Sequence, residues 1–60
     1  MKPITLYANN AYVAYEKANG WYCVSLRAPS GDLHDKVRCD SYREAQAYHR
    51  AFKAIAKAMR

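Results

Sequence analysis

Ser41-Tyr-Arg-Glu-Ala-Gln-Ala-Tyr-His-Arg-Ala-Phe-Lys-Ala-Ile-Ala-Lys-Ala-Met-Arg60 is the stretch whose reading decides the fold. Ser41 and Glu44 have the S-x-x-E spacing of a capping box, in which each side chain satisfies a backbone N–H left free by the first turn of a helix. Ala45, Tyr48, His49, Phe52, Ile55, Ala56 and Met59 then recur at steps of three and four, which at about 100° per residue gathers them on one side of a cylinder. Arg43, Gln46, Arg50, Lys53, Lys57 and Arg60 fall on the other side, with Ala47, Ala54 and Ala58 between them as strong helix formers. The pattern predicts a helix over 41–59, ~27 Å long, with an apolar stripe and a basic back. Such a helix cannot bury its stripe alone, so the preceding residues must supply a surface.

They read as a small antiparallel sheet. Ala11 to Lys17 carries Tyr12, Val13 and Tyr15, which suit a pleated surface; a helical period also fits Ala8, Ala11, Tyr12, Tyr15 and Ala18. Asn19-Gly20 tips the balance to a hairpin, because both residues tolerate the positive φ of a type I′ turn. Trp21 to Arg27 alternates, with Tyr22, Val24 and Leu26 toward the helix and Trp21, Cys23, Ser25 and Arg27 away from it. Pro29-Ser30-Gly31-Asp32 has the chemistry of a turn. Leu33 to Cys39 alternates again, directing Leu33, Val37 and Cys39 inward and His34, Lys36 and Arg38 outward. Ile4 to Tyr7, behind Pro3, is an extra edge strand or an ordered arm. The expected fold is α+β, one domain over 1–60 in the order β-β-β-α, with strands at 11–17, 21–27 and 33–39. One sheet face packs on the helix and the other is open.

Sixty residues leave room for one thin core. Its six tyrosines are half polar, and some of them must line surfaces with one apolar and one wet side. The net charge is +5, of which +4 falls on residues 41–60, a distribution that favours an anionic partner. No apolar run resembles a signal peptide or a membrane span, so a cytoplasmic protein with no membrane partner is expected, its two cysteines free thiols.

The open face collects Trp21, Ser25, Arg27, His34, Lys36 and Arg38. A β-ribbon can enter the major groove of duplex DNA, where arginine pairs with guanine and lysine meets phosphate. These six are the candidate DNA-binding residues, with Arg43, Arg50, Lys53 and Lys57 as secondary phosphate or partner contacts. Pairing of Glu16 or Asp35 with the face's cations would count against this reading.

The run Gly20-Trp-Tyr-Cys-Val-Ser-Leu-Arg27, then Ser30-Gly-Asp32, Lys36-Val-Arg38 and Ser41-Tyr-Arg-Glu-Ala45, resembles the three-stranded-sheet-plus-helix DNA-binding modules. These are the arm-site-binding domains of phage and transposon tyrosine recombinases and the similar domain of plant ethylene-response factors. The resemblance implies that Trp21, Ser25, Arg27, Lys36 and Arg38 would lie in a major groove. It also implies a stand-alone accessory DNA-binding protein of phage or mobile-element type. Cys39-Asp40-Ser41-Tyr42 departs from the phenylalanine or threonine usual before the helix, and Asp35 interrupts the basic strand.

An enzyme is not expected: there is no glycine-rich phosphate loop, nucleophile elbow or carboxylate pair. Cys23, on an exposed strand, and His49, on the helix's buried side, fall on opposite faces. Cys23, His34, Cys39 and His49 lack a metal-clamping C-x₂₋₄-C pair, so neither metal nor cofactor is expected. The alternative to DNA is a phage-type inhibitor or adaptor that docks on an acidic host protein through its tyrosines and basic helix face. A thin core also leaves room for a homodimer.

Overall fold

A computed structural model describes residues 1–59; Arg60, placed by the sequence pattern on the basic side of the helix, lies outside the described residues. Four strands, β1 (Ile4–Leu6), β2 (Tyr12–Ala18), β3 (Trp21–Arg27) and β4 (Leu33–Cys39), precede one helix, α1 (Tyr42–Ala58). The strands form a single antiparallel sheet in the order β1-β2-β3-β4. Ile4 to Leu6 is therefore a true edge strand, three residues long. No helix among the described residues is long and apolar enough to cross a membrane.

The β2–β3 hairpin pairs Ala18 with Trp21 across Asn19-Gly20. Gly20 takes φ of 79° while Asn19 does not take a positive φ. The signs are those of a type II turn, not the type I′ turn expected, and only Gly20 needs the freedom of a missing Cβ. In the β3–β4 loop the Gly31 N–H donates to the Ala28 carbonyl at 2.8 Å, putting Pro29 at the corner that its fixed φ favours.

Helix α1 starts where the sequence places it. Ser41 is extended, and its hydroxyl accepts from the Glu44 N–H at 3.2 Å, one arm of the capping box. The helix lies over β3 and flanks β2 and β4. Ala45, His49, Phe52 and Ala56 are buried against Ala11, Val13, Val24, Leu26 and Cys39. Burying the Phe52 side chain contributes about 1.5–3 kcal/mol, a large share of the ~3–9 kcal/mol that ~0.05–0.15 kcal/mol per residue allows a chain this short.

The stripe is narrower than the periodicity suggests. Tyr48 and Ile55, expected inside, are 40% and 42% exposed. At about 100° per residue they sit some 60–80° round the cylinder from Ala45, where they flank the seam; the Tyr48 ring packs on Phe52 at 6.1 Å. Leu33 is also expected inside and is not. Asp35 lies opposite Leu26 but Leu33 lies opposite Arg27, so the ladder carries a bulge with His34 as its extra residue. A one-residue slip reverses the faces of all that lies beyond it, and Leu33 emerges on the open side, 49% exposed.

Asn9-Asn10 does more than end β1. Asn10 takes φ of 73° in the tight connection to β2, and the Asn9 Oδ1 accepts from the Ala11 N–H at 2.8 Å. The Asn9 Nδ2 donates to the carbonyls of Ala56 and Met59 at 2.8 and 2.9 Å. One amide thus donates to two carbonyls at the end of the helix, where Ala56 also accepts the Met59 N–H at 3.3 Å, and ties the helix end to the β1–β2 corner. Asn9→Ala should lower stability by about 1–3 kcal/mol, seen in a thermal melt as a fall of roughly 5–20 °C. Asn9→Asp should cost at least as much, since a carboxylate there faces the negative end of the helix dipole.

Candidate nucleic-acid interface

The hairpin register sets out the open face as a grid. Reading from β1 to β4, one row is Leu6, Tyr12, Arg27 and Leu33; the next is Ile4, Ala14, Ser25 and Lys36. Beyond them come Glu16, Cys23 and Arg38, and then Ala18 beside Trp21. Trp21, Ser25, Arg27, Lys36 and Arg38 therefore share one face, as expected. The Arg38 guanidinium lies over the Trp21 ring, its Cζ 4.9 Å from the centroid, close enough for a cation–π interaction. The Arg27 Nη1 donates to the Gly31 carbonyl at 3.2 Å, which holds that side chain against the β3–β4 loop. His34 leaves the ladder at the bulge and is exposed.

The middle of the face is hollow, with a volume of about 270 Å³. Its floor is the small side chains of Ala14, Ser25 and Cys23, and Ile4, Tyr12, Glu16, Arg27, Leu33 and Lys36 surround them. Cys23, expected on an exposed strand, is only 7% exposed because these taller neighbours cover it.

The electrostatics are divided. All the cations of the face stand on β3 and β4, while the β1–β2 half presents Ile4, Leu6, Tyr12, Ala14 and one carboxylate, Glu16. Among the described residues no ion pair joins Glu16 to Arg27, Lys36 or Arg38. Asp35 stands opposite Leu26 in a helix-side row, and its Oδ1 accepts the Lys36 backbone N–H at 2.8 Å. The cations of the open face are therefore not neutralised by either carboxylate singled out in the sequence.

Arg43, Arg50, Lys53 and Lys57 form a band on the opposite side of the molecule. Arg50 and Lys53 meet Met1, Gln46 and His49 around a second hollow of about 160 Å³; Arg43 and Lys57 stand apart from it. The helix band and the sheet face point away from each other and cannot grip the same groove.

The remaining chemistry is that of a core. Cys39 is buried, and burial, followed by the Glu44 carboxylate beside it, pushes its thiol above the ordinary range, where it is a poor nucleophile. His49 faces the core while Cys23 lines the open-face hollow, so the sheet separates them. The tyrosines are dispersed: Tyr15, Tyr22 and Tyr42 form an aromatic wall at the helix side, with centroids 6.3 and 5.8 Å apart, Tyr7 packs on the core, and Tyr12 alone reaches the open face.

The sequence reading missed the β1–β2 half of this face. The signal was present, because a two-residue loop fixes the register, and register puts Tyr12, Ala14 and Glu16 beside Arg27, Ser25 and Cys23. The chain matches no protein-family model, no curated protein and no solved structure.

His49 is 6% exposed, and its Nε2 has no hydrogen-bond partner among the described residues. Burial, then the Lys53 ammonium and the Met1 α-amino group, hold its pKa below the ordinary 6.5. A lowered pKa in the folded state means that the unfolded chain takes up the proton first. The His49 contribution should be complete above about pH 6.5 and be lost as the pH drops from there through the folded value. Denaturant titrations between pH 7 and 5 check this: His49→Leu should lose most of the slope, and an unchanged slope would assign it to other groups.

Proposed function

We propose that this is a small basic DNA-binding protein of phage or mobile-element type, acting in the cytoplasm and taking nucleic acid on the open face of its sheet. One observation carries the reading. Arg27, Lys36 and Arg38, with Trp21, stand in successive rows of two neighbouring strands, facing solvent, with no ion pair among the described residues to neutralise them. A cluster of unpaired cations gains most from a dense line of phosphates, whose counterions it releases. The β3–β4 ribbon is the part that a duplex major groove would admit. The helix band of Arg43, Arg50, Lys53 and Lys57 would meet a second segment of nucleic acid. The reading needs no cofactor and assigns no catalytic residue.

A second reading is favoured by a different observation. Ile4, Leu6 and Leu33 are 59%, 68% and 49% exposed on this same face, and exposed apolar side chains beside arginine are the composition of protein-docking surfaces. Under that reading the occupant is an acidic host protein or a second copy of this chain.

Fluorescence anisotropy with labelled DNA at about 50 and 200 mM salt separates the two. DNA binding requires affinity that falls steeply with salt. Arg27→Ala, Lys36→Ala and Arg38→Ala should each weaken it and lower the salt slope by about one for every phosphate no longer neutralised. Absence of binding at the lower salt would sink the DNA reading and leave protein docking.

A further inference from the structure

The face is too wide and too uneven for a duplex. Four strands at about 4.8 Å span about 14 Å between the outer axes, whereas a major groove about 12 Å wide admits a helix or a two-stranded ribbon. If β3–β4 entered the groove, β1 and β2 would press on the sugar–phosphate wall. They would bring to it Ile4, Leu6 and Glu16, two apolar side chains and an anion. A phosphate wall repels the carboxylate and gives the apolar groups nothing to cover.

The same half suits bases. Tyr12 stands at one end of the face and Trp21 at the other, six residues apart along β2 by register, about 20 Å. Aromatic rings and arginine planes stack on unpaired bases of any sequence, and a single strand exposes the bases that a duplex hides. The Arg38 guanidinium already stacked on Trp21 extends that platform. Between them lies the hollow of about 270 Å³, close to the ~300 Å³ of the smallest ligand pockets. Glu16 lines it, unhelpful toward phosphate but able to accept from the exocyclic amino group of cytosine.

We infer that the open face holds single-stranded nucleic acid, with bases toward Tyr12, Ala14 and Glu16 and the phosphates toward Lys36 and Arg38. This rests on the nucleic-acid reading of that face and narrows its substrate from duplex to single strand. Apolar Ile4 and Leu6 cover sugars and base edges, and the cations of β4 track the backbone.

The test is a titration of labelled dC12, dT12 and a twelve-pair duplex at one salt concentration, followed by anisotropy and by the emission of Trp21, the only tryptophan. The expected result is single-strand binding at least about tenfold tighter than duplex, with Trp21 quenched by stacking. Tyr12→Ala should weaken single-strand binding about fivefold or more, and Tyr12→Phe, which keeps the ring and controls for folding, should retain it. Glu16→Ala should weaken dC12 and leave dT12 nearly unchanged. Duplex binding equal to or tighter than single-strand, or a Glu16→Ala variant that tightens on every nucleic acid, would overturn the inference while leaving DNA binding in place. If neither form binds, the underlying reading fails as well.

Discussion

One helix can cover only one face of a four-stranded sheet, and everything else in this molecule follows from that. The core lies between a seam of Ala45, His49, Phe52 and Ala56 and the inward residues of β2, β3 and β4. The seam is narrow because two of its members are alanines, which let the helix settle close over β3. Beyond it the apolar content of the chain has nowhere to go. Tyr48 and Ile55 flank the contact, and Ile4, Leu6 and Leu33 are left on the uncovered side of the sheet. Among the described residues no second helix covers that side.

So thin a core depends on its edges being fastened. Asn9 is the clearest case, since one side chain closes the β1–β2 corner and the carbonyl end of the helix together. The Ser41 cap and the Tyr15, Tyr22, Tyr42 wall do the same at the other end of the helix. These devices use polar atoms and aromatic edges where there is too little aliphatic bulk to finish the packing. His49, a buried imidazole with a nitrogen unsatisfied among the described residues, is the exception to good polar accounting in the core.

Local signals were legible where one residue type has one physical use. The S-x-x-E start, the Asn19-Gly20 hairpin and the alternation of β3 and β4 placed β2, β3, β4 and α1 to within a residue or so, whereas an edge strand and an ordered arm fitted Ile4 to Tyr7 equally. Leu33 was not legible, because a bulge depends on how the Pro29 to Asp32 loop returns the chain, which alternation does not report. Neither was the Asn9 clamp, because it joins residues about fifty apart in sequence. Half of the candidate face was visible, in the cations of β3 and β4. The other half needed the register carried one strand further, and for that reason Tyr12 and Ala14 were missed beside Arg27 and Ser25.

The composition of the hollow argues that the face is shaped for an occupant. Alanine is depleted in strands, and a pleated sheet surface favours β-branched side chains over alanine and serine. Yet Ala14 and Ser25 stand opposite each other at the middle of β2 and β3, with Cys23 next in line. Valine or threonine there would gain strand propensity and, being on the uncovered face, would disturb nothing in the core. They would also fill the hollow. Small side chains ringed by Tyr12, Arg27, Leu33 and Lys36 thus forgo a gain in strand propensity. What they retain is a depression whose two sides differ in chemistry, apolar and acidic on β1–β2 and cationic on β3–β4. A ligand that itself has an apolar, hydrogen-bonding side and an anionic side matches that division.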